Sequence, residues 1–239
     1  MKINLKNLKP LDYVTIISAM GALFVVGYWI KPKKLLSQIT TKKIDPKGKT
    51  FAFMGDSYTS LPTYGWQSVL AKNYDFKEIN IAKGGMQTSW MVRQTENYLS
   101  KNKPDYYVIM GGANDAYSPQ TIETAIKNIQ KMIDMANAKG VKPIVITGYN
   151  ARKVQVGNTR QKPTSEQLRR GVTQDVLWGM GEKYYKMQLR MLSDLKNATI
   201  VPIWDDAKQS DTYDGLHMTW DAHKKFANHV GNYLFKKKD

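Results

Sequence analysis

The sequence predicts a three-layer α/β domain on a central five-stranded parallel sheet, with a membrane-spanning helix ahead of it. Three observations carry this. Short apolar runs recur at Thr50–Met54, Glu78–Ile81, Tyr106–Met110, Pro143–Thr147 and Thr199–Ile203. Segments of helical spacing separate them, and alternation of this kind implies a parallel sheet covered on both faces. Before them, Tyr13 to Ile30 is uncharged throughout.

That N-terminal run comes first in the chain. Residues 1–12 form a basic flank. As a helix, residues 13–30 span about 27 Å at ~1.5 Å per residue, close to the hydrocarbon thickness of a bilayer. Tyr13 stands at one end and Tyr28-Trp29 at the other, where interfacial aromatics belong. A cleaved signal peptide is the rival reading. It needs a shorter apolar region and a small-residue cleavage site, and Trp29-Ile30-Lys31-Pro32 follows instead. An uncleaved transmembrane anchor is therefore expected. Lysines flank both ends, so the positive-inside rule leaves its orientation open. Residues 31–49 read as a basic linker with Pro32, Pro46 and Gly48, and 50–239 as the folded domain.

Within the domain the clearest helix runs from Pro119 to Lys139. Ser118 is the expected N-cap, with Pro119 at the first helical position. Ile122, Ala125, Ile126, Ile129, Met132, Ile133 and Ala136 make one apolar face, and Gly140 suits a left-handed stop. A second helical pattern runs from Asp221 to Phe235. Between the last two strands, Tyr149 to Val176 is long for a connection and rich in Arg and Lys. It leaves the carboxyl edge of the sheet, and two readings stay open: a flank of the cleft that helps hold an anionic polymer, or a lid or packing insertion whose charges are merely solvated.

Composition excludes some chemistry. There is no cysteine, hence no disulfide, thiolate metal site or cysteine nucleophile. The net charge of +16 favours anionic partners: nucleic acid, anionic lipid or acidic polymer. No nucleic-acid motif accompanies the scattered lysines, and a merely solubilising surface fits them as well. No histidine pair has metal-ligand spacing, and Asp205-Asp206 reads as loop. Gly111-Gly112-Ala113-Asn114-Asp115 lacks the length and the lysine of a phosphate loop. No cofactor is expected.

The strongest chemical signal is Gly55-Asp56-Ser57, where the first strand stops. A serine at the carboxyl end of such a strand can hold its Oγ in a cleft, with backbone N–H groups nearby. An ordinary turn serine gives the same tripeptide. Of the three histidines, His217 follows Asp214 by three residues across Gly-Leu. One turn there brings the carboxylate to Nδ1–H and leaves Nε2 for a serine hydroxyl. His223 and His229 fall in the last helical pattern and read as surface or packing residues. Asp56 and Asp115 read as structural carboxylates that bond nearby backbone N–H groups.

Four stretches occur in order: Gly55-Asp56-Ser57, Asn80-Ile81-Ala82-Lys83-Gly84-Gly85, Gly111-Gly112-Ala113-Asn114-Asp115 and Asp214-Gly215-Leu216-His217. Together they resemble the conserved blocks of the SGNH (GDSL-type) hydrolases, over about residues 48–235. The resemblance implies a flavodoxin-like fold and a serine esterase working through an acyl-enzyme. It implies Ser57 as nucleophile, His217 as general base and then acid, and Asp214 as its orienter. It implies an oxyanion hole from the Ser57 N–H, the Gly85 N–H (Gly84 being the alternative) and the Asn114 side chain. The resemblance also implies that a single-anchored member faces outward, and an outward-facing, membrane-tethered basic domain suggests a small acyl group, such as O-acetyl, on a cell-envelope glycan. An O-acyltransferase and a lysophospholipase or lipid esterase stay open within the family. A non-enzymatic anchored scaffold stays open outside it, although a scaffold has no need of Ser57, Asp214 and His217 together.

Overall fold

The computed structural model describes residues 43–156, 165, 169 and 174–236. The expected membrane-spanning run lies outside the described residues, and so does much of the basic segment after Val156. Among the described residues no helix is long and apolar enough to cross a membrane.

In chain order the elements are β1 (Thr50–Gly55), α1 (Trp66–Tyr74), β2 (Lys77–Asn80), α2 (Thr88–Leu99), β3 (Tyr106–Met110) and the short α3 (Ala113–Ala116). Then come α4 (Ile122–Ala138), β4 (Lys142–Ile146), a π-helical turn (Arg152–Val156), α5 (Gln174–Asp194), β5 (Thr199–Val201), a 3₁₀ turn (Gln209–Asp211) and α6 (Trp220–Leu234).

The strands form one parallel sheet in the order β2-β1-β3-β4-β5. β1 has β2 on one side and β3 on the other, so the chain reverses its travel across the sheet between them. That reversal opens a crevice at the carboxyl ends of β1 and β3, the usual ligand position in open α/β sheets. β3 is buried along its whole length and β1 from Phe51 onward, which is why both read as continuous apolar runs. At the opposite edge Phe51 packs against Tyr106 at 4.5 Å and Phe76 at 4.3 Å between ring centroids.

The differences from expectation have physical causes. β5 stops at Val201, because Pro202 has no N–H for the ladder. α4 begins three residues later than the Ser118-Pro119 signal suggests. Thr121 is its N-cap and accepts the Thr124 N–H. The Ser118 hydroxyl is committed elsewhere: it donates to the Asp115 carbonyl and accepts from the Gln120 N–H. The far end is as expected. Gly140 has φ +68, and the Val141 and Gly140 N–H groups return to Ala136 and Asn137. α6 spans Trp220–Leu234, capped by Thr219.

The expected linker 31–49 is not spacer to its end. Ile44 pairs in parallel with Phe235: the Ile44 N–H donates to Leu234 O at 2.8 Å, and the Lys236 N–H donates to Ile44 O at 3.2 Å. The Lys43 ammonium caps the end of α6 by donating to the carbonyls of Asn232 and Tyr233. Folded structure therefore begins at least seven residues ahead of β1.

Candidate active site

β1 ends at a position only glycine can occupy. A Cβ on Gly55 would lie 2.6 Å from Met110 O and 2.8 Å from Thr59 Oγ1. The chain turns there. Asp56 Oδ1 accepts the Tyr58 N–H, and Asp56 O accepts the N–H groups of Thr59 and Ser60. This tight turn leaves Ser57 on the crevice at the carboxyl end of β1. Asp56 itself is fully buried, and its Oδ2 has no hydrogen-bond partner. Burial pushes its carboxyl up to about 7. The Tyr58 N–H works against that shift, and nearby Asp115 adds to it.

The loop before α6 meets this turn. Asp214 Oδ1 accepts the N–H groups of Leu216 and His217, and Gly215 takes φ +84. Asp214 Oδ2 lies 2.7 Å from His217 Nδ1, and His217 Nε2 lies 3.0 Å from Ser57 Oγ. Partial burial raises the Asp214 pKa. The bonds from the His217 ring and from the two backbone N–H groups outweigh it and hold the carboxyl below its usual range. The loop is closed on itself: the Tyr213 N–H donates to His217 O, and the Thr219 N–H donates to Asp211 O. Buried Asp211 is tied to Lys225 at 2.7 Å. The Tyr213 ring stacks on the His217 ring at 5.8 Å.

The turn after β2 lines the other side of Ser57. A Cβ on Gly84 would lie 3.8 Å from Ser57 Cβ, whereas one on Gly85, at φ +74, would meet nothing within 4 Å. Asn80 fixes this turn to the serine turn. Its Oδ1 accepts the Ala82 N–H, and its Nδ2 donates to Thr59 O. Asn114, in α3, donates its side-chain N–H to Met86 O at 3.2 Å and so stands against the same turn. Asp115 is structural, accepting the N–H and the hydroxyl of Thr88 at the start of α2. The structure thus gathers Ser57, His217 and Asp214 in one hydrogen-bonded row, with the Gly84-Gly85 turn and Asn114 beside it.

Sequence reasoning missed two tyrosines. Tyr149, just beyond β4, is buried, and its hydroxyl donates to Leu216 O at 2.6 Å. Its proton is therefore committed, so in the 2.8 Å contact between the Tyr58 and Tyr149 hydroxyls Tyr58 is the donor. Burial, with Tyr149 and Tyr117 nearby, raises the Tyr58 pKa and keeps that proton in place. The pair links the serine turn, the end of β4 and the histidine loop. Gln188 of α5 supports it, donating to Thr147 O and Tyr149 O at 2.6 Å each. An i-to-i+2 or heptad rule cannot find this relay, because its members meet only through the sheet order.

His229 packs, donating to Pro202 O. His223 is also buried, but it lies beside Ser57. It lines a cavity of about 170 Å³ together with Ser57, Ser60, Leu61, His217 and Met218. A larger depression, about 660 Å³, lies at the opposite edge among the strand starts and holds neither a serine nor a histidine. The first charges of the long basic segment are paired: Arg152 with Glu182 at 3.1 Å and Lys153 with Asp205 at 2.9 Å. Among the described residues no cluster of three His, Asp or Glu side chains could hold a metal ion.

Solved structures share the fold at low identity. An acetyl xylan esterase, AlAXEase, is 15% identical with a TM-score of 0.58, covering 77% of this chain and 98% of its own. A catalytic mutant of Axe2, an acetylxylan esterase from Geobacillus stearothermophilus, is 14% identical with a TM-score of 0.58, covering 82% and 100%. The psychrotrophic esterase EstA from Pseudoalteromonas sp. is 16% identical with a TM-score of 0.55, covering 77% and 96%. Among curated proteins none matches the chain. The model of the GDSL-like Lipase/Acylhydrolase family matches residues 53–225. That stretch runs from the end of β1 through the serine turn to the histidine loop, so the chain belongs to this family and is a carboxylic ester hydrolase.

Proposed function

We propose that Ser57 is the nucleophile of an esterase that removes a small acyl group, such as O-acetyl, from a cell-envelope glycan. The observation that carries the mechanism is the single imidazole held between Ser57 Oγ at 3.0 Å and Asp214 Oδ2 at 2.7 Å. His217 Nε2 takes the Ser57 proton as Oγ bonds to the ester carbonyl carbon. Asp214 holds Nδ1–H and stabilises the imidazolium that forms. The N–H groups of Ser57 and Gly85 and the amide of Asn114 receive the oxyanion; one such donor is worth about 10²–10³ in kcat. His217 then protonates the departing alcohol oxygen, leaving an acyl-Ser57. Water attacks that ester with His217 again as base, and the acid leaves as Oγ recovers its proton.

Two things support the small acyl group. The cavity beside Ser57, about 170 Å³, matches a short acyl group in size. Two of the structural neighbours are described as acetylxylan esterases. The membrane location rests on the uncharged run 13–30, the outward orientation on the family resemblance, and the glycan on the net charge of +16. The test is a series of p-nitrophenyl esters of rising chain length, with fluorophosphonate labelling of wild type and Ser57→Ala. Acetate should be the best substrate and Ser57→Ala should not label. Labelling of Ser57→Ala, or a rising preference for long chains, would overturn the proposal.

A further inference from the structure

His223 is 96% buried yet stands in the wall of the cavity beside the nucleophile. Its Nδ1 accepts the Trp66 N–H at 3.2 Å. A nitrogen that accepts carries no proton, so the neutral ring carries its hydrogen on Nε2. Burial, with His217 nearby, pushes the pKa down to about 4, and the ring stays neutral across the physiological range. Nδ1 is turned to the start of α1, which leaves Nε2–H on the opposite side of the ring. That N–H has no protein acceptor among the described residues. The cavity that His223 lines is mainly apolar, with Leu61 and Met218, and Ser60, Tyr58 and Tyr213 line it as well.

We infer that His223 reads the acyl group: its fixed Nε2–H donates to an oxygen carried by the acyl chain, selecting short oxygen-bearing acyl esters over plain alkanoyl esters of equal length. This rests on Ser57 as the nucleophile. At about 170 Å³ the cavity suits the small half of the ester, because a polymeric alcohol needs an open-ended groove. An acetyl group leaves room for a water on Nε2–H. A butyryl chain expels that water and leaves a buried donor unpaired, which is costly. An alkoxyacetyl or hydroxyacyl chain supplies the missing acceptor. A site built to bond an oxygen rejects the analogue without it more strongly than an apolar pocket rejects a methylene.

The test uses the full chain and an isosteric pair, p-nitrophenyl methoxyacetate and p-nitrophenyl butyrate, which differ by one oxygen for one methylene. Their kcat/KM ratio is divided by the ratio of their hydroxide-catalysed rates, which removes intrinsic reactivity. Wild type should favour methoxyacetate by about tenfold or more after that correction. His223→Asn keeps an amide oxygen for the Trp66 N–H but cannot reach the cavity, and should bring the corrected ratio close to one. A corrected wild-type ratio under two, or one unchanged in His223→Asn, overturns the inference. A second arm needs neither turnover nor that variant. In Ser57→Ala protein with ¹⁵N-labelled histidine, methyl methoxyacetate should move the His223 Nε2 resonance and leave His229 in place. Equal shifts with methyl butyrate, or none, overturn the inference. Absence of turnover with every ester would instead overturn the role of Ser57, and the resonance arm would still decide the role of His223.

Discussion

The most discriminating perturbation is Tyr149→Phe, which removes one oxygen from a buried position and no carbon. That oxygen donates to Leu216 O at 2.6 Å and accepts from Tyr58 OH at 2.8 Å. Leu216 immediately precedes His217. A partly buried carbonyl that loses its donor costs ~1–3 kcal/mol. For a chain of this size ~2 kcal/mol corresponds to a fall in Tm of about 4–8 °C. The kinetic effect is separate. With Leu216 O released, His217 Nε2 is less firmly placed against Ser57, and kcat should fall about tenfold, ~1.4 kcal/mol in the barrier, with KM little changed. Tyr58→Phe is the control. It removes a donor to Tyr149 but leaves the bond from Tyr149 to Leu216 in place, so its kcat loss should be no more than about twofold, ~0.4 kcal/mol. The assay is p-nitrophenyl acetate hydrolysis alongside thermal unfolding. If Tyr149→Phe lowers Tm but leaves kcat intact, the relay is structural only. If the two variants lose kcat equally, the assigned direction of the relay is wrong.

Other expectations follow from the same geometry. His217→Ala should lose nearly as much activity as Ser57→Ala, while Asp214→Asn should be milder, and neither Ser57→Ala nor His217→Ala should lower Tm appreciably; burst kinetics and melting curves check this. Asp56 has a folded pKa of about 7, above its ordinary 3.8. The folded state therefore binds the extra proton, and stability present at pH 4 declines as pH rises toward and through 7. The span is on the order of a few kcal/mol. Asp56→Asn should flatten that slope in urea titrations, and an unchanged slope would assign it to other groups. Gly55→Ala forces a Cβ to within 2.6 Å of Met110 O and should cost several °C in Tm together with activity, because the serine turn must shift.

How much of this could be read from the chain depends on whether a feature is local. β1 and β3 are buried on both faces, so their apolar runs are unbroken and easily seen. β2 is an edge strand, half-buried and carrying Lys77 and Glu78, and its limits were displaced by a residue. Ser118 and Thr121 give the same local capping signal. The choice between them depends on Asp115, and on Lys183 donating to Ser118 O at 2.7 Å from α5, which no local rule weighs. Asp214 and His217 are close in sequence and their contact is local. Ser57 lies 160 residues away and reaches them only because the sheet sets β1 beside that loop. The placements of Tyr149, His223 and Asn80 share this dependence. Each looks ordinary in sequence and acquires its contacts from strand order.

The clasp between Ile44 and Phe235 has a mechanical side. The two segments run in parallel, so the chain enters at one end of the pairing and leaves at the other. Tension between the termini loads both hydrogen bonds at once, along the segments, rather than peeling them apart in turn. Force applied to residues before Lys43 therefore meets a bracket in shear, closed by the Lys43 ammonium on the last turn of α6, before it reaches β1 and the serine turn at its far end. A chain shortened to begin at Thr50 would lose that bracket, and strain would pass straight into the strand that carries Ser57.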